Sequence, residues 1–297
     1  MEALLGQYDV SLVRTAAIAV IMALSLNMIT GFCGQISLGH AAFMGVGAYA
    51  SVVLNIEGLG FVLATLAGMA IAGLFGLIVG LTSLRVRHDF LAITTMGVAF
   101  LFRGIVEQMP ALKETDGFSG YPLPDYGIYG YMGVTLAAAA LVLALSVYIR
   151  RSWMGFTFGS IADDEDTARI VGIDVARFKL AAFVLGTGLA GLAGSLYAHQ
   201  TTIIQAENFG FIESITVLSM VVVGGVGSIV GVVVAAIVLS LLPLWFQFIG
   251  DYKLLFYGGL LFLMMRFAPD GLAGLIERAL RALRERNAPR ASAGAGQ

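Results

Sequence analysis

Few side chains in this sequence could do chemistry, and their spacing argues against bond-breaking work. Cys33 is the only cysteine among 297 residues, which excludes an intrachain disulfide and a Cys-based metal cluster. No nucleophile stands beside an activating base, and no residue set has metal-ligand spacing. The phosphate-cradling loop G-x-x-x-x-G-K-[ST] is absent, so ATP hydrolysis by that route would need a separate chain. What remains is a handful of polar residues in apolar surroundings. Gln35, Ser37 and His40 lie within the run Gly31 to Gly47, GFCGQISLGHAAFMGVG. Ser228 lies within Gly224 to Gly231, GGVGSIVG. A lone histidine in an apolar stretch is more often a packing residue than a ligand. The glycine-rich setting of His40 makes path lining, or capping of a half-helix, an equal reading. Thr94 and Thr95 can bond back to their own helix, and packing leads there. Arg103 and Glu107 are four apart and share a helix face. Either charge alone at mid-membrane costs about 2.5–3.5 kcal/mol, so the two are expected to pair. Asp163, Asp164, Glu165 and Asp166 form a run of four acids, followed by Ala168 and Gly172.

The elements that position these residues follow from composition. Hydrophobic types make up 59% and charged types 12%, against about 25% charged in an average soluble domain. So little charge cannot cover a soluble globule, which points to a polytopic membrane protein. The surplus is Leu, Ala, Val, Ile and Gly, and ten-residue stretches of alternating polarity are missing, so an outer-membrane barrel is not expected. The start does not read as a cleavable signal: Glu2 and Asp9 stand where a basic region belongs, and no positive charge precedes Arg14.

At roughly 20 apolar residues per span, membrane segments are predicted at 10–29, 36–56, 61–84, 90–109, 128–149, 180–198, across 212–249, and at 254–265. Pro110 to Tyr126 reads as an exposed loop. The fold class is all-α and polytopic, with about eight to ten membrane segments, some discontinuous. Residues 1–271 form the transmembrane domain, 150–179 a cytoplasmic loop, and 272–297 an amphipathic helix followed by a polar tail. Basic residues concentrate in the insertion (Arg150, Arg151, Arg169, Arg177, Lys179), in the tail and at Arg85 and Arg87. Lys113 and Lys253 lie on the other side. The positive-inside rule makes insertion and tail cytoplasmic, with an even number of spans, four, between them. The orientation of the N-terminus stays open. Two charge-free regions, Thr15 to Ile56 and Ser214 to Gly250, are too long for one helix and must break. Each has a glycine-rich run at which to do so. Such breaks in corresponding halves mark transporters with internal repeats, although small residues also serve close helix packing.

The motifs resemble a known family. Gly34-Gln-Ile-Ser-Leu-Gly-His-Ala-Ala-Phe43 with Gly45 and Gly47-Ala-Tyr49 is similar to the first signature of LivM-type permeases of branched-chain amino-acid ABC importers. Arg87-His-Asp-Phe-Leu-Ala-Ile93, Asp163-Asp-Glu-Asp-Thr-Ala168, Gly172-Ile173, Gly191-Leu-Ala-Gly194, Gly224-Gly-Val-Gly-Ser228 and Pro269-Asp-Gly271 follow in order. The chain departs from the pattern at His88, Ala162, Val232 and Thr115-Asp-Gly117, which bears on substrate identity.

The resemblance implies a non-enzymatic permease subunit of the bacterial inner membrane, working by alternating access. Its partners would be a second, similar permease, two cytoplasmic ATPase subunits that bind ATP and Mg, a periplasmic binding protein, the lipid bilayer and a small polar solute. No cofactor is expected in this chain. Branched-chain amino acids are the first expectation for cargo; urea, amides and aromatic or dicarboxylic acids are carried by relatives of the branch. Asp163, Asp164, Glu165, Ala168, Gly172 and Ile173 would couple to the ATPase. Gln35, Ser37, His40, Thr94, Thr95, Gly224, Gly225 and Ser228 would line the path. A stand-alone secondary transporter or channel is the rival class. It would need buried ionisable groups, and the charge-free regions offer only His40. A membrane scaffold is a third reading.

Overall fold

The computed structural model describes residues 6–83, 88–109, 118–119, 126–246, 252–268 and 271–274. Expectations about Arg85, Arg87, Lys113, Pro269 and the tail beyond 274 fall outside these residues. So does most of the loop after residue 109.

The apolar runs fold into helices α1 (Gln7–Leu26), α2 (His40–Ile56), α3 (Phe61–Ser83), α4 (His88–Gln108) and α5 (Gly127–Arg151). The insertion carries α6 (Trp153–Asp163) and α7 (Glu165–Ile170). Then come α8 (Val175–Thr201), α9 (Phe211–Gly224), α10 (Ile229–Trp245) and α11 (Lys253–Phe267). Helix is forced by the solvent: in hydrocarbon each backbone N–H and C=O must be satisfied within its own segment. Among the described residues, six helical stretches are long and apolar enough to cross a membrane, and two shorter apolar ones correspond to α2 and α10. Among the described residues, sheet is confined to two short antiparallel strands, β1 (Phe118–Ser119) and β2 (Ile203–Ile204), with Phe118 opposite Ile204.

Side-chain contacts fix the direction of each helix. Along α8, Phe183 meets Phe43 of α2 edge-on at 5.5 Å, and Ser195 donates to the carbonyl of Gly47 at 3.2 Å, so α2 and α8 run parallel. At the far end of α8, His199 packs on Phe61, the first residue of α3, at 4.9 Å. Gly80 of α3 lies against Leu180, so α3 runs antiparallel to α8. Thr15 of α1 accepts from Gln200 at 3.0 Å, while Gly186 lies against Ile29, so α1 is antiparallel too. Glu213 meets Lys253 and Ser219 meets Tyr257, so α9 and α11 run side by side in one direction.

The ends therefore sort into two sets. The insertion, the close of α1, the start of α2, the α9–α10 turn and residues 271–274 share one end. Arg150, Arg151, Arg169, Arg177, Lys179 and Arg266 gather there, the end that the positive-inside rule would assign to the cytoplasm. Helix α1 begins at the opposite end, and α2, a shorter apolar helix, runs back toward it. Among the described residues, four helices, α8 to α11, follow the insertion.

The centre of the bundle is α1, α2 and α8. Their contact surfaces are small residues, so backbones approach closely. A Cβ at Gly194 would overlap the carbonyl oxygen of Met44, and one at Gly47 would overlap the backbone of Gly191. The outer faces of α3, α5 and α11 keep large apolar residues exposed, among them Leu63, Leu74, Leu141, Leu255 and Phe262. Those faces suit lipid rather than water.

Candidate functional site

Both charge-free regions break, as their length demands, and do so as turns at the end of the bundle that carries the insertion. In the first, α1 loosens into a π-helix over Asn27–Phe32, a form frequent at functional sites. The chain then leaves helical geometry until His40. In the second, Gly225 and Gly227 take φ of 104° and 80°, a region open to glycine, and reverse the chain between α9 and α10. Ser228 caps α10 by accepting from the N–H of Gly231 at 3.2 Å.

The two turns meet. The N–H of Gly227 donates to Oδ1 of the buried Asn27 at 2.9 Å, across 200 residues of sequence. Gly271 packs against Gly225, so the start of the tail closes the same cluster. Around this seam the expected path residues are placed as follows. Gln35 is buried and donates from Nε2 to the carbonyl of Lys179 at 3.0 Å, joining the first turn to α8. Ser37 is fully buried. Thr95 lies fully inside, bonds back to Ala92 at 3.0 Å and also receives the N–H of Leu38 at 3.0 Å, so α4 anchors the turn. Thr94 is half-buried one position along. His40 opens α2 with no exposure; its Nε2 and Ser25 Oγ are 2.8 Å apart, and that hydroxyl in turn donates to Met22. Gly224 and Gly225 are buried against Val232 and Gly271, and Ser228 is half-buried.

The insertion docks directly on this seam. It is two helices, not one, because Asp164 closes α6 and caps α7 from extended backbone. Its carboxylate accepts from the backbone N–H and hydroxyl of Thr167 and from the N–H of Asp166. Those bonds hold the Asp164 carboxyl below the usual carboxylate range. Phe158, Ile161 and Ala168 turn inward and are buried. Ala168 therefore packs on its own bundle, and α7 ends at Ile170, so Gly172 does not continue its helical face. Gly172 ends α7 at φ 90° in a Schellman turn, with Ile173 N–H to Ala168 at 3.1 Å and Gly172 N–H to Arg169 at 3.0 Å. Ile173 packs against the core. Ile170 and Val171 stand out instead, 84% and 70% exposed. Asp163 is exposed on the same end.

One contact that the sequence did not suggest holds the insertion in place. Lys179 of α8 and Glu165 of α7 form an ion pair, both nearly buried. Glu165 was legible as one of four acids in the expected coupling segment and Lys179 as one of five basic residues, but nothing in the sequence paired them. At the opposite end, Arg103 pairs with Glu107 at 2.6 Å as their spacing predicted, and also with Glu207 at 3.1 Å.

Comparison with known proteins agrees with this architecture. The family model described as branched-chain amino acid transport system, permease component, matches residues 10–265. The chain is 32% identical over 299 residues to the high-affinity branched-chain amino acid transport system permease protein LivM of Salmonella typhimurium, covering 89% of this chain and 69% of that one. It is 33% identical to LivM of Escherichia coli K12, with the same coverage. Similarity extends to the permease LivH of Escherichia coli K12, at 24% identity over 86% of this chain and 90% of that one. No solved structure matches.

Proposed function

This chain belongs to the family of permease components of branched-chain amino acid transport systems, and we propose that it is one of two permease subunits of an importer for branched-chain amino acids. It is a multi-pass protein of the inner membrane. The observation that carries the mechanism is the insertion. It presents Ile170 and Val171 to the cytoplasm while tied to α8 and, through Ala162 beside Gly34, to the first glycine-rich turn. A separate ATPase subunit, which holds ATP and Mg, docks on those apolar residues. Its closure on ATP moves α6 and α7, and the seam passes the motion to α1, α2, α8 and α9. The second permease resembles this one, as the likeness to both LivM and LivH proteins favours. A periplasmic binding protein delivers the amino acid at the opposite end. Gln35, Ser37, His40, Thr94, Thr95, Gly224, Gly225 and Ser228 form the cytoplasmic end of the path, where the seam opens.

The test is uptake of labelled solutes by vesicles holding this chain with its companion subunits and binding protein. Leucine, isoleucine and valine should enter on ATP addition; entry of urea or dicarboxylic acids but none of these three overturns the reading. Single cysteines at 35–47 and 224–231, in a Cys33→Ala background, should react with a membrane-impermeant thiol reagent in at least one nucleotide state. Inertness throughout makes the turns packing seams alone.

Gly172→Asp isolates the coupling. A side chain at this left-handed position costs about 1–2 kcal/mol, yet nothing lies within 4 Å of the added Cβ. Packing of the chain should therefore survive. The expected result is near-normal membrane level with uptake and substrate-stimulated ATP hydrolysis reduced at least tenfold. Asp166→Ala, which removes an exposed 3.1 Å pair with Arg169, should be far milder. Wild-type uptake by Gly172→Asp would reduce the insertion to a plain loop.

A further inference from the structure

Among the described residues, three cations lie toward the outer end of the bundle: Arg14, Arg103 and Lys253. Arg103 is paired with Glu107 and Glu207, and Lys253 with Glu213. Arg14 has no carboxylate within ion-pair distance. Its guanidinium carbon sits 5.7 Å from the centre of the Tyr131 ring, and its Nε is buried with no hydrogen-bond partner. Tyr131 is held in place by its hydroxyl, which donates to the carbonyl of Leu196 at 2.6 Å. One turn further along α8 is Gln200. Its Nε2 donates to Thr15, the neighbour of Arg14, at 3.0 Å, and its Oε1 is buried with no partner. Thus α1, α5 and α8 bring together one unpartnered charged donor and one unpartnered acceptor beside an aromatic face.

Such an arrangement is costly in itself. An unmade hydrogen bond on a buried group costs about 1–3 kcal/mol, and more for a charge. Two orphans of opposite hydrogen-bonding sense are complementary to a ligand that carries an acceptor anion and a donor cation a few bonds apart. Resting on the amino-acid reading of the cargo, we infer that Arg14, Gln200 and Tyr131 form an outer receiving site for the zwitterionic head of a free amino acid. The carboxylate takes the guanidinium through a charge-assisted bond, and the ammonium donates to Gln200 Oε1 against the Tyr131 face. The aliphatic side chain is left to the apolar interior. The site reads the backbone of the cargo and not its side chain, which suits a subunit that receives several branched-chain residues.

The test uses the complete importer in vesicles, with Arg14→Lys, Arg14→Met and Gln200→Met. Arg14→Lys keeps a cation over Tyr131, and so the local packing, while removing the Nε donor. Leucine uptake at saturating binding protein should fall at least tenfold in all three variants. In the purified complex without binding protein, retention of labelled leucine should fall likewise. Neither isoamylamine nor 4-methylpentanoate, which carry one charged group each, should displace leucine from the wild type. Wild-type uptake in the variants, or displacement by either single-charge analogue, overturns the inference while leaving the amino-acid importer standing. So does a defect that follows the vesicles' phosphatidylglycerol content, which would give Arg14 to a lipid phosphate. A wild-type importer that moves no leucine overturns the cargo reading, and the inference with it.

Discussion

Lys179→Met should uncouple the insertion from the bundle and lower the thermal stability of the complex. Lys179 and Glu165 pair with side-chain exposures of only 12% and 13%. Removing Lys179 leaves the nearly buried Glu165 carboxylate without its ammonium. Arg169 reaches Glu165 only at 3.5 Å and is itself 60% exposed. Breaking a buried pair in this way costs about 3–5 kcal/mol, and the position at the membrane edge puts the cost near the lower bound. The double variant Glu165→Leu with Lys179→Met removes both charges and should recover most of the stability, because apolar replacement of a buried pair is often neutral. Uptake should stay low in both, since the electrostatic tie between α7 and α8 is gone in each. Thermal unfolding of the purified complex, beside vesicle uptake, decides the matter. Equal midpoints for the single and double variants would show that the pair is solvated and holds nothing.

Gly194→Ala should be among the most damaging single methyl groups at the helix crossings. The added Cβ would overlap the carbonyl oxygen of Met44, and would lie 2.7 Å from that carbonyl carbon and 3.0 Å from the amide nitrogen of Ala48. These are backbone atoms at the α2–α8 crossing, so no side-chain rotation relieves the contact. Overpacking of this kind costs about 3 kcal/mol, the upper part of its usual range. Gly47→Ala should act similarly against Gly191 from the other side of the crossing. Gly104→Ala is the control: nothing lies within 4 Å of its Cβ, and α4 continues through it. Alanine there should be neutral or stabilising by up to about 1 kcal/mol. The amount of folded protein in the membrane and the unfolding midpoint are the readouts. Normal levels of Gly194→Ala would mean that α2 and α8 do not cross at these glycines.

The helices and their order were legible because each rests on short-range rules. Charge-free runs mark spans, breaks in overlong runs mark turns, and clusters of arginine mark the cytoplasmic face. The pair Arg103 and Glu107 was legible for the same reason, being one helical turn apart. The family too was legible, since its motifs are contiguous and occur in order.

What only the tertiary structure decided is which distant residues meet. Nothing near Asn27 in the sequence announces that it holds Gly227, and nothing near Arg14 announces Tyr131 and Gln200. Whether Ala168 faces inward or outward depends on where α7 ends, and that depends on Asp164 capping and Gly172 turning. The physical reason is common to all of these. In a membrane the hydrophobic pattern that orients a soluble helix is missing, because lipid and protein interior are equally apolar. The sequence of this permease therefore determined that its segments are helices and which of them carry the basic residues. Which faces turn toward one another was decided by close contact of glycines and by a few buried polar bonds, and those exist only once the helices are assembled.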